Sequence, residues 1–167
     1  METRKVAIIG CGAIGGILAR AIDRGEAGKT KLGRVFDLDE KQAKELAGEL
    51  SNSPSVAGGI EEILEDKEID LVVEAASQEA VSEYAIGILE SGKDLMVLSI
   101  GAFSDEGLFR EVSETARDVG QRVYLPSGAI LGLDGLKAVK IAGIDEVSLT
   151  TRKPPETLAA TKFVKEK

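Results

Sequence analysis

The sequence predicts an α/β fold in which helices cover both faces of a parallel sheet, and three observations predict it. An apolar run at residues 6–9 is followed at once by a glycine-rich turn and an amphipathic stretch. The same succession of apolar run, turn and amphipathic stretch recurs to about residue 125. The composition, 43% hydrophobic and 30% charged over 167 residues, is that of a globular chain long enough for one good core.

The glycine-rich turn spans residues 10–15 and reads GCGAIG, which is the G-x-G-x-x-G pattern. Because it follows a strand and opens a helix, it predicts dinucleotide binding in a Rossmann-type, doubly wound sheet. Gly10 permits the tight turn, Gly12 lets a pyrophosphate approach the backbone, and Gly15 lets the helix lie against the strand. The alternative is a structural turn in another α/β protein. The pattern assigns these residues to the cofactor: Gly10, Gly12, Ala13, Ile14 and Gly15.

The remaining elements follow from hydrophobic periodicity and from turn and cap residues. The predicted strands are 6–9, 34–36, 56–57, 69–74, 94–99 and 122–125. The predicted helices are 13–24, 39–50, 60–64, 78–90 and one from Ser104 or Asp105 to about 119. A polar loop is expected over 25–33. These elements form a dinucleotide-binding domain over residues 1–125.

Asp37 follows the second predicted strand, roughly 20 residues after the glycine motif, where the fingerprint places an acidic residue. Its carboxylate would accept hydrogen bonds from the adenosine ribose and repel a 2′-phosphate, which favours NAD over NADP. No Lys or Arg follows it directly. The alternative role is a cap for the next helix.

Small residues follow the fourth and fifth predicted strands, at the sheet edge where open parallel sheets bind ligands. We expect them to border the cofactor: Ala75, Ala76, Ser77, Ser99, Gly101 and Ala102. Ser77 can also cap the following helix. Glu74, just before them, is interpreted either as a buried acid or as a residue facing the cofactor.

Charge and composition narrow the classes of partner. The net charge of −8 and the pI of about 4.8 disfavour nucleic acid. No apolar run approaches the ~20 residues of a membrane span, and no leader precedes the first strand, so a cytoplasmic protein is expected. The chain has no His, which removes the commonest general base and most zinc chemistry, and we expect no metal site. Cys11, the one cysteine, is interpreted as a small spacer within the turn.

Residues 126–167 predict the partial start of a second, substrate-binding domain. They carry a second small-residue turn at 126–129, a helical pattern from about 130 to 139, an alternating strand pattern over 144–152, and a polar helix or frayed end from 156. One helix and one strand cannot bury a core of their own.

Five runs carry a more specific resemblance: GCGAIG, EAAS, SIGA, PSGA and TTRKPP, at 10–15, 74–77, 99–102, 126–129 and 150–155. In this order and spacing the chain resembles the L-aspartate dehydrogenase family. The resemblance implies a two-domain oxidoreductase, usually a homodimer, that oxidises L-aspartate to iminoaspartate with NAD or NADP and can feed NAD biosynthesis. It also implies that Ala129, with Ser127 and Gly128 beside it as substrate candidates, lies near the nicotinamide.

The resemblance further implies that the family's catalytic His lies in a region beyond Lys167. We therefore expect the chain alone to be inactive. Two alternatives stay open: a dinucleotide-binding module or half of a split enzyme completed by another chain, and a reductase acting on another small dicarboxylate or semialdehyde.

Overall fold

Six parallel strands form one sheet in the part of the chain that the structure, a computed structural model, describes: residues 3–127, 136, 143–148, 150 and 152. The strands are β1 (Arg4–Ile9), β2 (Thr30–Phe36), β3 (Ser55–Val56), β4 (Leu71–Glu74), β5 (Asp94–Val97) and β6 (Val123–Tyr124). Their order in the sheet is β3-β2-β1-β4-β5-β6, and every neighbouring pair is parallel. The predicted doubly wound α/β fold is confirmed.

Helices connect the strands. They are α1 (Ala13–Asp23), α2 (Glu40–Glu49), α3 (Ile60–Glu65), α4 (Gln78–Glu90) and α5 (Glu106–Val119), with a 3-10 helix (Ile100–Ser104) between β5 and α5. The prediction for α4 is confirmed residue for residue, because Ser77 caps its start and Gly92, at φ +80°, follows its end.

The core lies on both faces of the sheet. Successive residues of β1 alternate between two buried clusters: Val6 and Ile8 pack with α1 and α2, whereas Ala7 and Ile9 pack with α3, α4 and α5. This division explains the uninterrupted apolar run in the sequence, since every position of a doubly covered strand is buried.

The beginning of β2 differs from the prediction. Residues 30–33 were expected in a loop, yet β2 begins at Thr30. The register between β1 and β2 shifts at Gly33, because Val6 pairs with Leu32 and Ala7 with Arg34. Gly33 thus marks an irregularity within a strand, where a side chain would collide with Lys5 and Ile69, and not the end of a loop.

The bounds of other strands differ as well. β5 ends at Val97 and not at residue 99, because the chain leaves the sheet there and forms a 3-10 helix from Ile100. The small residues of this segment gave no helical pattern in the sequence. β4 begins at Leu71, two residues later than predicted, and β6 covers only Val123–Tyr124 of the predicted 122–125, although Asp70 and Arg122 still form backbone hydrogen bonds with neighbouring strands.

The chain groups into two units, Met1–Gly128 and Ala129–Lys167. The first holds the whole sheet. The predicted helices at 130–139 and 156–167 lie almost entirely outside the described residues. Residues 143–148 do not form the strand that the sequence predicts over 144–152, and Val147 is 56% exposed. An alternating pattern forms a stable strand only where other strands pair with it. The division after residue 125 stays a prediction.

Candidate functional site

A cleft of about 330 Å³ opens at the carboxyl ends of β1, β2 and β4. β1 and β4 are the neighbours at which the strand order reverses, and an open α/β sheet binds its ligand at that switch point. The volume lies within the range of small-molecule sites. The lining residues are Ile9, Gly10, Gly12, Phe36, Asp37, Leu38, Gln42, Ala75, Ala76, Ser77, Glu79, Ala80, Glu83 and Tyr84.

The glycine-rich turn forms one wall of the cleft, and each of its three motif glycines is needed for a different reason. Gly10 has φ +92°, and a Cβ there would lie 2.7 Å from the backbone of Ala75. A Cβ on Gly15 would overlap the carbonyl oxygen of Gly10. Gly12 faces open space, since its nearest neighbour would be the Gln42 side chain at 4.0 Å. The turn is therefore tight at its ends and open in the middle, where a pyrophosphate would approach.

The N-terminus of α1 follows this turn directly. Gly12 is its N-cap and supplies no side-chain hydrogen bond, and the first helical bond runs from Gly16 N to Gly12 O at 2.8 Å. The first turn of the helix therefore retains N–H groups and a positive dipole end that favour an anion. Together with the open space at Gly12, this arrangement fits a bound diphosphate.

Asp37 lies at the end of β2 and lines the same cleft. Its two carboxylate oxygens accept hydrogen bonds from the backbone N–H groups of Cys11, at 2.7 Å, and Asp39, at 2.8 Å. The alternative reading of Asp37 as a helix cap is wrong, because Asp39 caps α2. Each carboxylate oxygen has a second lone pair, so Asp37 can brace the glycine-rich turn and still accept a ribose hydroxyl.

Cys11 is buried in the turn, 6% exposed, with Sγ 3.8 Å from Phe36 O. Burial, and to a smaller extent the charge of Asp37, raise the pKa of its thiol to about 12. A thiol with that pKa is protonated at neutral pH and unreactive. The position thus fits the spacer interpretation.

The turn after β4 forms the opposite wall. Ala75, Ala76 and Ser77 all line the cleft. The Ser77 hydroxyl accepts a hydrogen bond from Ala80 N at 3.2 Å, which confirms the predicted cap. The small side chains keep this wall close to its backbone and leave the cleft open.

Glu74 is a buried acid and does not line the cleft. It is 1% exposed and accepts hydrogen bonds from Ala76 N at 2.8 Å, Ser99 N at 3.0 Å and the Ser99 hydroxyl at 2.8 Å. Sequence reasoning found the residue but missed its link to Ser99, which is 25 positions away.

Several predicted cofactor residues, and Ser127 among the predicted substrate residues, lie outside the cleft lining. Ser99 is bonded to Glu74, and Ala102 is 6% exposed within the core. The others are Ala13, Ile14, which is 58% exposed, Gly15, Gly101 and Ser127. Gly128 and Ala129 lie outside the described residues. Cofactor and substrate roles for all of these residues stay predictions.

Sequence reasoning missed the wall formed by the middle of α4. Phe36 and Tyr84 meet edge to face, with ring centroids 6.2 Å apart, and both line the cleft. Burial, followed by the charge of Glu83, raises the pKa of Tyr84. The spacing of Ala80 and Tyr84 places both on one helix face, but which face meets the cleft depends on packing.

The charge of the lining is acidic. Asp37, Glu79 and Glu83 contribute carboxylates, and no Lys or Arg appears among the described lining residues. An adjoining cleft beyond Phe36 and Tyr84 adds Glu40 and Glu61. The negative charge of these carboxylates therefore opposes the binding of an additional phosphate at the end of the cleft near Asp37.

The fold and the cleft together define a dinucleotide-binding domain of the Rossmann class. Residues 10–126 match the family model described as homoserine dehydrogenase, NAD binding domain. The chain belongs to this family of NAD-binding domains, which makes NAD its cofactor.

The relatives confirm the resemblance noted in the sequence. The chain is 40% identical to an L-aspartate dehydrogenase of Nitrosopumilus maritimus over 96% of its own length and 58% of that protein. It is 42% identical to one from Methanosarcina mazei over 97% of its length and 59% of that protein. The chain thus spans less than two thirds of these relatives.

A solved structure supports the same relationship. The aspartate dehydrogenase of Thermotoga maritima is 30% identical and superposes with a TM-score of 0.62, covering 83% of this chain and 52% of that one.

Among the described residues, no helix is long and apolar enough to cross a membrane.

Proposed function

We propose that this chain is the cofactor-binding part of an NAD-dependent oxidoreductase that oxidises L-aspartate. The observation that carries the proposal is the match, at about 40% identity over 96% of the chain, to proteins named L-aspartate dehydrogenase. The cleft at the switch point supports it, because it offers the features that a dinucleotide requires.

In the proposed complex, adenosine occupies the cleft between the end of β2 and α4. Asp37 accepts the ribose hydroxyls, and the diphosphate lies against Gly12 and the N-terminus of α1. The resemblance implies that the nicotinamide end extends toward the turns after β4 and β5, near Ala76 and Gly101. It also assigns a cofactor role to Ala129 and substrate roles to Ser127 and Gly128.

The bound cofactor would accept a hydride from the substrate carbon that carries the amine, and the chain would orient it. We assign three tasks to the described residues. Backbone N–H groups bind the diphosphate, Asp37 holds the ribose, and the small side chains of the turn after β4 leave room for the cofactor. The general base that takes the amine proton is not assigned to any residue of this chain, which has no His.

The acidic lining supports a preference for NAD over NADP. Two unit charges 4 Å apart interact by about 4 kcal/mol at an effective dielectric constant near 20, and solvent reduces this repulsion at the exposed mouth of the cleft. Asp37 and Glu83 both contribute to this repulsion, so we propose that NADP also binds, but more weakly than NAD.

The remaining proposals rest on the resemblance. They are a homodimer or a complementing chain, a cytoplasmic location, and a product that feeds NAD biosynthesis. The acidic net charge of −8 supports small-molecule partners in preference to nucleic acid.

The experiment measures NAD binding by calorimetry and NADH formation from NAD and L-aspartate. It compares this chain with a chimera that adds the remaining C-terminal part of the Nitrosopumilus maritimus relative. We expect both proteins to bind NAD and only the chimera to form NADH. A folded chimera that binds NAD but leaves L-aspartate unoxidised contradicts the dehydrogenase proposal and supports a binding module. NADH formation by the chain alone contradicts its proposed inactivity.

A further inference from the structure

We propose that Glu74 is a positioning residue that holds together the two turns beside the nicotinamide end of the site. This inference rests on the proposed function, because it places the nicotinamide near the turns after β4 and β5. Glu74 ends β4, and Val97, its neighbour in the ladder, ends β5. Both turns therefore leave the sheet at the same edge.

The hydrogen bonds of Glu74 connect these turns directly. Oε1 accepts from Ala76 N at 2.8 Å and from the Ser99 hydroxyl at 2.8 Å, whereas Oε2 accepts from Ser99 N at 3.0 Å. Ala76 belongs to the cleft wall, and Ser99 precedes the 3-10 helix. One side chain thus fixes the positions of two backbone segments from adjacent strands.

The chemistry of the three partners requires a carboxylate. All three are donors in this arrangement, and an ionised carboxylate is an acceptor at both oxygens. Burial of a charged group is costly unless hydrogen bonds compensate it, and Glu74 is 1% exposed. Among the described residues, no buried side-chain nitrogen or oxygen lacks a partner, so the arrangement is complete as built.

Glutamine is the informative substitution because it retains the shape and removes one acceptor. If its oxygen takes the Oε1 position, its NH2 group faces Ser99 N; if it takes the Oε2 position, the NH2 group faces Ala76 N. In both orientations one backbone N–H loses its acceptor, and one of the two turns is released.

Asp94 provides a matched control at the opposite edge of the sheet. It is also a buried acid, 8% exposed, and it also joins different strands, since it accepts from Arg122 N at 2.9 Å, from Tyr124 Oη at 3.3 Å and from the Arg4 guanidinium at 2.6 Å. Asp94→Asn therefore reports the general effect of losing a buried carboxylate. A loss of stability shared by both variants says nothing about the cofactor.

The experiment measures the dissociation constants of NAD and AMP for the wild-type chain, Glu74→Gln and Asp94→Asn, at a temperature where all three are folded. We expect Glu74→Gln to bind NAD about tenfold more weakly, the order of magnitude that follows if binding has to order again the turn that the lost hydrogen bond released. AMP occupies only the adenosine end, which borders the turn after β4 but not the turn after β5, so its affinity falls less than that of NAD, and Asp94→Asn leaves both affinities unchanged.

Amide hydrogen exchange without ligand supplies a readout that does not depend on the proposed function. We expect faster exchange in Glu74→Gln at Ala76 or Ser99, whichever N–H has lost its acceptor, and no change at either residue in Asp94→Asn. If Glu74→Gln does not fold, Ser99→Ala, which removes one of the three donors, is expected to weaken NAD binding by about threefold and to leave AMP unchanged.

Three results overturn the inference: unchanged NAD affinity in the folded Glu74→Gln variant, an equal loss of NAD and AMP affinity, or an equal effect of Asp94→Asn. A wild-type chain that binds no NAD overturns the proposed function instead. In that case faster exchange at either Ala76 or Ser99 still supports the bracing by Glu74, and unchanged exchange at both contradicts it.

Discussion

Gly15 is the position where the described site tolerates a side chain least, and Gly15→Ala tests this. The added Cβ would overlap the carbonyl oxygen of Gly10, lie 2.9 Å from its carbonyl carbon, and approach Ile8 Cγ2 to 3.4 Å. Gly10 cannot move away freely, because it is held at φ +92° against the backbone of Ala75. The substitution must therefore displace α1 from β1, and with it the N–H groups that face the cofactor.

The expected loss of stability follows from two opposing effects. Overpacking against an ordered neighbour costs about 1–3 kcal/mol, and the upper end applies here because the obstacle is backbone. Alanine gains about 1 kcal/mol over glycine as a helix former. The net loss is about 2 kcal/mol, which lowers the melting temperature of a chain of this size by about 4–8 °C. The assay is thermal unfolding followed by circular dichroism, with an NAD titration of the folded variant.

Gly48→Ala is the matched control, because Gly48 lies near the end of α2 and a Cβ there would meet nothing within 4 Å. It should gain up to about 1 kcal/mol from helix propensity alone. Melting of Gly15→Ala at or above the wild-type temperature, while Gly48→Ala behaves as expected, would refute the close packing of α1 on the turn.

Three further predictions concern Asp94, Cys11 and Asp105. Burial raises the pKa of Asp94, but hydrogen bonds from Arg122 N and Arg4 outweigh it and hold that pKa below 3.8. The stability that the Asp94 carboxylate contributes is present above pH 3.8 and lost as the pH falls through the pKa of the folded state. In urea unfolding, the wild-type chain should therefore lose more stability than Asp94→Asn between about pH 5 and pH 2. Cys11 should resist a thiol reagent at pH 8 until urea unfolds the chain, because its pKa is about 12. Asp105→Ala should lower the free energy of unfolding by about 1 kcal/mol in the same assay, since Asp105 caps α5.

The order of the elements could be predicted from the sequence because few topologies accommodate alternating strands and helices. The helix boundaries followed from local chemistry: Ser77 and Asp105 cap the helices they precede. The start of β2 could not be predicted, because Gly33 gives the same local signal in a loop and in a strand irregularity. That distinction depends on the neighbouring strand.

The site was predictable where its chemistry is local and unpredictable where it depends on distances between elements. The glycine-rich turn and Asp37 were found from spacing alone, and both line the cleft. The pairing of Glu74 with Ser99 depends on how closely β4 and β5 end. The approach of Tyr84 to Phe36 depends on the rotation of α4. Neither the distance from Glu74 to Ser99 nor that from Tyr84 to Phe36 can be deduced from the sequence of a single segment.

Asp37 and Glu74 each hold a turn at the carboxyl edge of the sheet, and the two turns lie on opposite sides of the switch point. Asp37 follows β2 and holds the turn after β1 through Cys11 N. Glu74 ends β4 and holds the turn after β5 through Ser99 N. The glycine-rich turn and the turn after β4 face the cleft with backbone and small side chains, which cannot hold their own positions by packing. A charged acceptor beside each turn therefore supplies the rigidity that a backbone-lined site requires.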